Sequence, residues 1–251
     1  CATRKRNWHR KCEKILAIIV RSDDDDVMRY PGGKGKCFHH IVNLMPPHHT
    51  YIEAYLGGGA VLRNKRPAGR TIGIEIDPRI VKRWQQEQLN TVEVVHADAV
   101  DYLRSYDFDG DELVYLDPPY VPATRLKKRV YRYDYSDEQH VELLATIKTI
   151  PCKVMISGYD NTMYDQHLAG WNKTRFRANS QSGLREECVW FNFARPTVLH
   201  DSTYMGETFR ERQSLKRRTE RLHERIESMD PVERHELIKW MNTRFGEARA
   251  A

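Results

Sequence analysis

Short apolar segments alternate with helix-length segments through the middle of this chain. The apolar segments are rich in Val, Ile and Tyr and are bounded by Gly, Pro or Asp, which is typical of β-strands. They are residues 50–55, 71–76, 92–96, 112–117, 153–157 and 187–193. The helix-length segments between the first five are residues 59–66, 78–89, 98–105 and 137–149. Strands that alternate with helices need crossover connections, so the pattern predicts an α/β fold with a doubly wound, mostly parallel sheet.

The two ends of the chain differ from this middle in composition. Residues 1–21 carry seven Lys or Arg and a single acid, whereas the rest of the chain is balanced in charge. From residue 206 the chain is highly charged, with apolar residues on one helical stripe, and Asp230 and Pro231 then begin a second helix. We expect three parts: a dispensable basic extension at 1–27, a central α/β domain at 28–200, and a tail at 201–251 that forms a C-terminal helical hairpin.

Composition indicates a globular protein outside the membrane. The chain is 40% hydrophobic and 30% charged, and no apolar run approaches the ~18 residues of a membrane span. The five cysteines are widely scattered and show no Cys-x-x-Cys spacing, which is typical of reduced thiols. We therefore expect a cytoplasmic protein, and the sequence leaves its oligomeric state open, a monomer included.

The most informative motif is the tetrapeptide Asp117-Pro118-Pro119-Tyr120, at the end of the fourth predicted strand. The carboxyl ends of strands line the ligand crevice of an open α/β sheet. An exocyclic amine of a base is a poor nucleophile, because its lone pair is delocalised into the ring. Asp117 and the Pro118 carbonyl can accept its N–H bonds and hold the lone pair towards an electrophile. Since Tyr120 offers a ring face for a base taken out of its stack, we predict that the tetrapeptide is catalytic.

A glycine turn at Gly57, Gly58 and Gly59 follows the first predicted strand. A strand, a glycine turn and a helix in succession let a ligand approach the backbone closely, as in dinucleotide sites. The next predicted strand brings Glu75 and Asp77 to its end, where a carboxylate suits a ribose diol. Because Asp77 stands before a proline it is typical of a helix N-cap, so we predict Glu75 as the ribose ligand.

Further residues complete the predicted cofactor site. Glu53 belongs to the same motif as the glycine turn, and Asp98 follows the third predicted strand. Asp98 has two equal interpretations: an acceptor for an adenine amine, or a helix N-cap. Upstream, Lys34 stands among glycines close to Tyr30. This segment lacks the spacing of a phosphate-binding P-loop, but a lysine beside an aromatic ring suits a small anionic group and an adenine ring.

In this order, these motifs resemble those of the Dam-type adenine-specific DNA methyltransferases, which use S-adenosylmethionine. The similar segments lie between about residues 28 and 195. They are Tyr30-Pro31-Gly32-Gly33-Lys34, the glycine motif ending at Gly59, Glu75, the tetrapeptide, residues 157–161 and residues 187–191. The resemblance implies that Tyr30, Lys34, Glu75 and Asp117 contact the methyl donor. It also implies a Rossmann-like methyltransferase domain at 28–200 that methylates the N6 amine of adenine in DNA.

The sequence departs from that family at two points. Glu75 stands where the best-known members carry aspartate. In addition, Dam-type enzymes insert their recognition domain before the tetrapeptide, whereas predicted strands and helices already fill residues 60–116 here. Sequence readout would have to come from the loop at 121–135, from residues 171–185 or from the tail, so no target sequence follows from the resemblance.

Positive charge is concentrated in the loop after the tetrapeptide. The residues that we predict to contact nucleic acid are Arg125, Lys127, Lys128, Arg129, Tyr131 and Arg132. Cations interleaved with tyrosines suit both phosphate contact and stacking on unpaired bases. A second basic cluster, at residues 210–225 of the tail, is diluted by acids and is more typical of a solvated helix.

Parts of the same sequence are compatible with other functions. The tetrapeptide can serve any exocyclic amine, so an RNA adenine or N4-cytosine methyltransferase is the alternative enzyme. A catalytically silent nucleic-acid-binding partner that uses its basic tail is the alternative from another class. The dipeptide Pro151-Cys152 resembles that of cytosine C5 methylases, but its chemistry would replace the tetrapeptide. The cysteine and histidines at 37–49 lack paired metal-ligand spacing, so we expect no metal.

Overall fold

The computed structural model describes residues 34–35, 37–87, 89–125, 132–180 and 183–246. Seven strands form one sheet in the order β3-β2-β1-β4-β5-β7-β6. They are β1 Thr50–Ala54, β2 Arg70–Glu75, β3 Glu93–His96, β4 Glu112–Leu116, β5 Lys153–Tyr159, β6 Asn172–Ser180 and β7 Gly183–Phe191. The first five strands are parallel to one another, and β7 runs antiparallel to both β5 and β6. The predicted mostly parallel sheet is confirmed.

One helix precedes the first strand, five lie between strands, and two come after the last strand within the described residues. They are α1 Phe38–Val42, α2 Ala60–Asn64, α3 Pro78–Gln86, α4 Ala99–Ser105, α5 Asp137–Thr149, α6 Thr162–His167, α7 Phe209–Glu227 and α8 Pro231–Phe245. Helix α5 has the predicted bounds because Ser136 and Gln139 form a capping box at its start. Asp230 caps α8 and Pro231 occupies its first turn, so both predicted helices of the tail are confirmed.

Strand β6 was not predicted, and β7 begins four residues earlier than the predicted strand at 187–193. The sequence of β6, NKTRFRANS, is polar, which hides it from a search for apolar runs. It lies at the edge of the sheet, and edge strands commonly carry charged side chains. Its pairing with β7 explains both errors, since the two strands form one antiparallel hairpin.

Successive side chains along each strand lie on opposite faces of the sheet, so they form two apolar cores, one on each face. Ile52, Ile72 and Val114 belong to one core, and Tyr51 and Tyr115 to the other. At the edge of the sheet where the parallel strands end, the second face changes from apolar to polar residues. These residues are Glu53 on β1, Asp117 after β4, Ser157 on β5 and Glu187 on β7. The order of the strands reverses between β1 and β4, which is where ligands bind in such sheets.

The tail differs from this body in its packing. Helices α7 and α8 have no buried residues, and they expose large apolar side chains such as Phe209, Trp240 and Phe245. None of the helices in the described ranges is both long and apolar enough to cross a membrane.

Candidate active site

The tetrapeptide continues directly from β4 at the carboxyl edge of the sheet. The backbone N–H of Asp117 donates to Ala54 on the neighbouring strand at 3.4 Å. Asp117 Oδ1 accepts from Lys34 Nζ at 2.6 Å and from Ser157 Oγ at 2.7 Å. Both contacts use the same oxygen, and within the described ranges Oδ2 has no hydrogen-bond donor. The Asp117 side chain is 20% exposed, so this oxygen remains a possible acceptor for a ligand.

Lys34 lies inside the protein rather than beside an open anion site. Its side chain is 2% exposed, and Nζ contacts Asp117, the Tyr120 hydroxyl and, at 3.6 Å, Glu187 Oε2. Burial lowers the pKa of Lys34, but the attraction of Asp117 and Glu187 outweighs burial and raises this pKa well above its usual value. The lysine is therefore a fixed positive charge beneath the tetrapeptide, which adds a structural role to the predicted contact with the methyl donor.

The ring of Tyr120 is held at several points. Its hydroxyl receives a hydrogen bond from Lys34 and donates one to Glu187 Oε2 at 3.2 Å. The ring of Tyr159 packs edge-on against it, with 4.5 Å between centroids. Tyr120 is only 5% exposed, so stacking on a base requires its neighbours to move.

The glycine turn is held from below by two side chains. Glu75 accepts from the backbone N–H groups of Gly57 at 2.8 Å and Asp77 at 2.9 Å, and the Trp84 indole donates to the Gly57 carbonyl at 2.8 Å. Gly57 and Gly59 have φ of 47° and 62°, which glycine adopts without strain. A Cβ at Gly59 would also overlap the Trp84 ring. The backbone of the turn is thus held in one conformation.

Two of the three acids at these strand ends are helix N-caps. Asp77 accepts from Arg79 N at 3.0 Å as the N-cap of α3, as predicted. Asp98 accepts from Val100 N and Asp101 N as the N-cap of α4, so the capping interpretation is confirmed for it. A carboxylate has about four lone-pair sites, so Glu75 can also accept from a ribose. Burial raises the pKa of Glu75, against the effect of its backbone hydrogen bonds.

Glu53 projects from β1 on the same face of the sheet as Asp117. It is 3% exposed and accepts from the Tyr51 hydroxyl at 2.8 Å. Burial raises its pKa to about 7. Glu53 therefore binds a proton far more readily than an exposed glutamate does.

The structure places the predicted basic loop only in part. Arg125 has a side chain 4% exposed, pairs with both oxygens of Asp134 and donates to the Tyr120 carbonyl. This side chain is engaged within the fold, which differs from its predicted contact with nucleic acid. Arg132 is 56% exposed and stands 3.9 Å from Asp77. Tyr30, Lys127, Lys128, Arg129 and Tyr131 lie outside the described residues.

Several site residues were not predicted. Ser157, Tyr159 and Glu187 stand in segments that carry the family resemblance, yet sequence reasoning gave them no role. The available signal was a polar residue at either terminus of an apolar predicted strand: Ser157 is the last residue of the strand predicted at 153–157, and Glu187 is the first residue of the strand predicted at 187–193. Both side chains are buried in the structure. Arg185 lies over the ring of Tyr159 at 5.2 Å, which extends the aromatic surface beside Tyr120 with a cation.

Two further residues clarify the chemistry of the site. Tyr55 has φ of 65°, and among the described residues it is the only non-glycine with positive φ. Its hydroxyl donates to that of Tyr135 at 2.9 Å, which holds this strained position just before the glycine turn.

Cys152 is buried before the start of β5, at the opposite end of the sheet from Asp117, and burial raises its pKa to about 12. This thiol therefore does not act as a nucleophile in this site.

Comparison with known proteins gives one family match, to the central segment of the chain. Residues 74–176 match the D12 class N6 adenine-specific DNA methyltransferase family. This match confirms the resemblance seen in the sequence, the methyltransferase class and S-adenosylmethionine as the methyl donor. Comparison with curated proteins gives no match.

Solved structures of similar fold include several methyltransferases. A cofactor-bound protein from MTB has 16% identity and a TM-score of 0.42, over 65% of this chain and 81% of that one. A dimethyladenosine transferase from Plasmodium falciparum has 14% identity and a TM-score of 0.40, over 61% of this chain and 59% of that one. The 23S rRNA methyltransferase ErmE has 13% identity and a TM-score of 0.41, over 65% and 68%.

Proposed function

We propose that this chain, whose residues 74–176 match the D12 adenine methyltransferases, transfers a methyl group from S-adenosylmethionine to the N6 amine of adenine in DNA. One observation carries the proposal: Lys34 and Ser157 fix Asp117 through Oδ1 alone. The other carboxylate oxygen, at the carboxyl edge of the sheet, is in place to accept an amine N–H.

The tetrapeptide supplies the chemistry that an exocyclic amine needs. Asp117 Oδ2 and the Pro118 carbonyl accept its two N–H groups, which directs the nitrogen lone pair away from the ring. Hydrogen bonds to Oδ1 hold the carboxylate in one rotamer, so the side chain needs little further ordering when the reaction takes place. As the new N–C bond would form, the bond between the methyl group and the sulfonium would break and leave a neutral thioether; the methylated amine becomes acidic, and Asp117 can take its proton.

The first half of the sheet fits the methyl donor. S-adenosylmethionine supplies an electrophilic methyl group on a sulfonium. A Cβ at Gly58 would meet no atom within 4 Å, so the turn leaves room for a ligand at the backbone. Glu75 holds the Gly57 N–H and retains acceptor capacity for a ribose. Asp117 adds negative charge near this edge, which favours a cationic ligand, whereas Glu53, with a pKa of about 7, is only partly ionised at neutral pH.

Product analysis tests the reaction and its substrate class. The purified chain is incubated with tritiated S-adenosylmethionine and with DNA or RNA of mixed sequence, and the polymer is digested to nucleosides. We expect label in N6-methyladenine from DNA. Label in RNA adenosine or in N4-methylcytosine would support the alternative enzymes. Binding to DNA without any label would support a silent binding partner.

Target binding is proposed to use the loop after the tetrapeptide. Arg125 anchors the start of this loop to Asp134 and to the Tyr120 carbonyl, and the other predicted cations follow it within seven residues of the sequence. Changing Lys127, Lys128 and Arg129 to Ala should weaken DNA binding and lower its salt slope by about 1 unit per lost phosphate contact. The matched control changes Lys216, Arg217 and Arg218 of α7 to Ala. If only the control alters the slope, the tail is the nucleic-acid interface.

We also propose a cytoplasmic location. Cys37, Cys152 and Cys188 are free thiols buried in the fold. Three unpaired thiols support a reducing compartment.

A further inference from the structure

Glu187 is a buried carboxylate on β7 that faces the tetrapeptide. It is 7% exposed, and its Oε2 accepts from the Tyr120 hydroxyl at 3.2 Å and stands 3.6 Å from Lys34 Nζ. Two residues further along the same face of β7, Val189 belongs to the apolar core. Removing a carboxylate from water costs several kcal/mol unless it is paired. The packing of β7 alone would therefore favour an apolar residue at this position.

The hydrogen bonds around Glu187 run in one direction. An ammonium only donates and a carboxylate only accepts, so Lys34 donates to the Tyr120 oxygen and the Tyr120 hydroxyl donates to Glu187. Lys34 also donates to Asp117. Glu187 thus fixes the direction of the Tyr120 hydroxyl and shares the charge of Lys34 with Asp117.

The neighbouring strand adds a second restraint on the same ring. Tyr159 on β5 pairs in register with Glu187 on β7, and the Tyr159 ring packs edge-on against Tyr120. The β5–β7 pair therefore holds Tyr120 both at its hydroxyl and along its ring.

We propose that Glu187 is a positioning residue, which orients Tyr120 and keeps Lys34 between two carboxylates so that Asp117 retains its capacity to accept the amine. This inference rests on the proposed methyl transfer. Glu187 acts through Tyr120 and Lys34 and does not itself contact the base. Its loss should lower turnover, because the acceptor and the stacking ring lose their fixed geometry.

Four variants test this role in the complete chain: Glu187→Gln, Glu187→Ala, Tyr120→Phe and the double variant Tyr120→Phe with Glu187→Ala. Turnover should fall about tenfold for Glu187→Ala, as expected for loss of a hydrogen bond to a charged group. Glu187→Gln should fall less, because its amide oxygen can still accept from Tyr120. In the Tyr120→Phe background, Glu187→Ala should lower turnover by clearly less than tenfold, since the part of its effect that passes through the hydroxyl is already absent and only the part that passes through Lys34 remains.

Glu186→Gln is the matched control, because Glu186 directly precedes Glu187 on β7. Its side chain is 54% exposed and makes a long contact of 3.9 Å to Arg175. It should retain wild-type turnover. Independent effects of Tyr120→Phe and Glu187→Ala, or wild-type turnover in Glu187→Ala, would overturn the positioning role. Should Glu187→Ala unfold, as judged by circular dichroism, the same cycle with the isosteric Glu187→Gln decides. Absence of methyl transfer by the wild-type chain would instead refute the proposed function.

Discussion

The two halves of the sheet's carboxyl edge are held together by different kinds of contact. In the cofactor half, formed by the glycine turn and Glu75, the partners are 18 residues apart for Gly57 and Glu75 and 27 for Trp84 and Gly57. In the tetrapeptide half, Lys34 and Asp117 are 83 residues apart, and Tyr120 and Glu187 are 67 apart. The first half is built within one strand–helix–strand unit and the helix that follows it, whereas the second requires most of the chain to be folded.

The largest expected effect comes from the tetrapeptide half. Asp117→Ala should lower methyl transfer by about a hundredfold or more, the range seen when one preorganised polar group is removed from an active site. The variant also removes the shorter of the two ion pairs of Lys34, so it should unfold at a lower temperature while Glu187 still compensates the charge. Tritiated methyl transfer and thermal unfolding measure the two effects.

Asp111→Ala serves as the control for this variant, because Asp111 is an exposed residue at the other end of β4. It should behave as wild type in both measurements. Turnover of Asp117→Ala within tenfold of wild type would contradict the acceptor role.

Two neighbouring glycines probe the cofactor half. Gly59→Ala should lower the free energy of unfolding by about 1–3 kcal/mol, since it combines a left-handed backbone with overlap against Trp84. Gly58→Ala meets open space and should stay within about 0.5 kcal/mol of wild type. Urea unfolding compares the two, and equal stabilities would show that the turn can rearrange.

Glu53 gives a pH test of the charge at this edge. Its pKa of about 7 lies above the ordinary value of 4.5, so the folded chain binds this proton more tightly than the unfolded chain does. Its protonation therefore stabilises the fold fully below the ordinary value, and this contribution is lost as the pH rises through 7. Glu53→Gln removes the titration, so the variant should gain stability relative to wild type between pH 5 and pH 8, on the order of 1 kcal/mol.

Urea unfolding at both pH values measures this difference. The exposed Glu93 provides the control, since Glu93→Gln should show the same difference from wild type at pH 5 and pH 8. If the free energies of unfolding of Glu53→Gln and wild type differ by the same amount at pH 5 and pH 8, Glu53 does not titrate between these pH values.

The smallest effect is expected from the tail. Helices α7 and α8 bury none of their residues, so a chain that ends at residue 206 should unfold within about 2 °C of the full chain. Differential scanning calorimetry checks this. A larger decrease in the unfolding temperature would show that the tail stabilises the body.

The local half was predictable and the long-range half was not. The glycine turn and the capping role of Asp77 follow from short motifs, because each depends on neighbours within one strand–helix unit, and the ribose contact of Glu75 stays a prediction. The same holds for α5, whose capping box is visible in four consecutive residues. By contrast, the positions of Lys34, Ser157 and Glu187 depend on which strands become neighbours, and the order β5-β7-β6 does not follow from chain order.

Arg125 shows what a charge pattern in the sequence leaves out. In the sequence it belongs to a run of cations without acids, and it was predicted to face nucleic acid. Its partner Asp134 lies just beyond that run, so the pair forms only when the loop folds back. A charge count within a window cannot reveal this pairing.

The β6–β7 hairpin has a consequence for the order in which this protein matures. During synthesis β5 emerges before either of these strands, so its outer edge has exposed backbone N–H and C=O groups until β7 pairs with it. The hairpin contacts are local and can form early, and docking of the hairpin both covers that edge and delivers Glu187 to Lys34. A nascent chain that ends before residue 183 is thus incomplete in its catalytic edge and open to aggregation at the same strand.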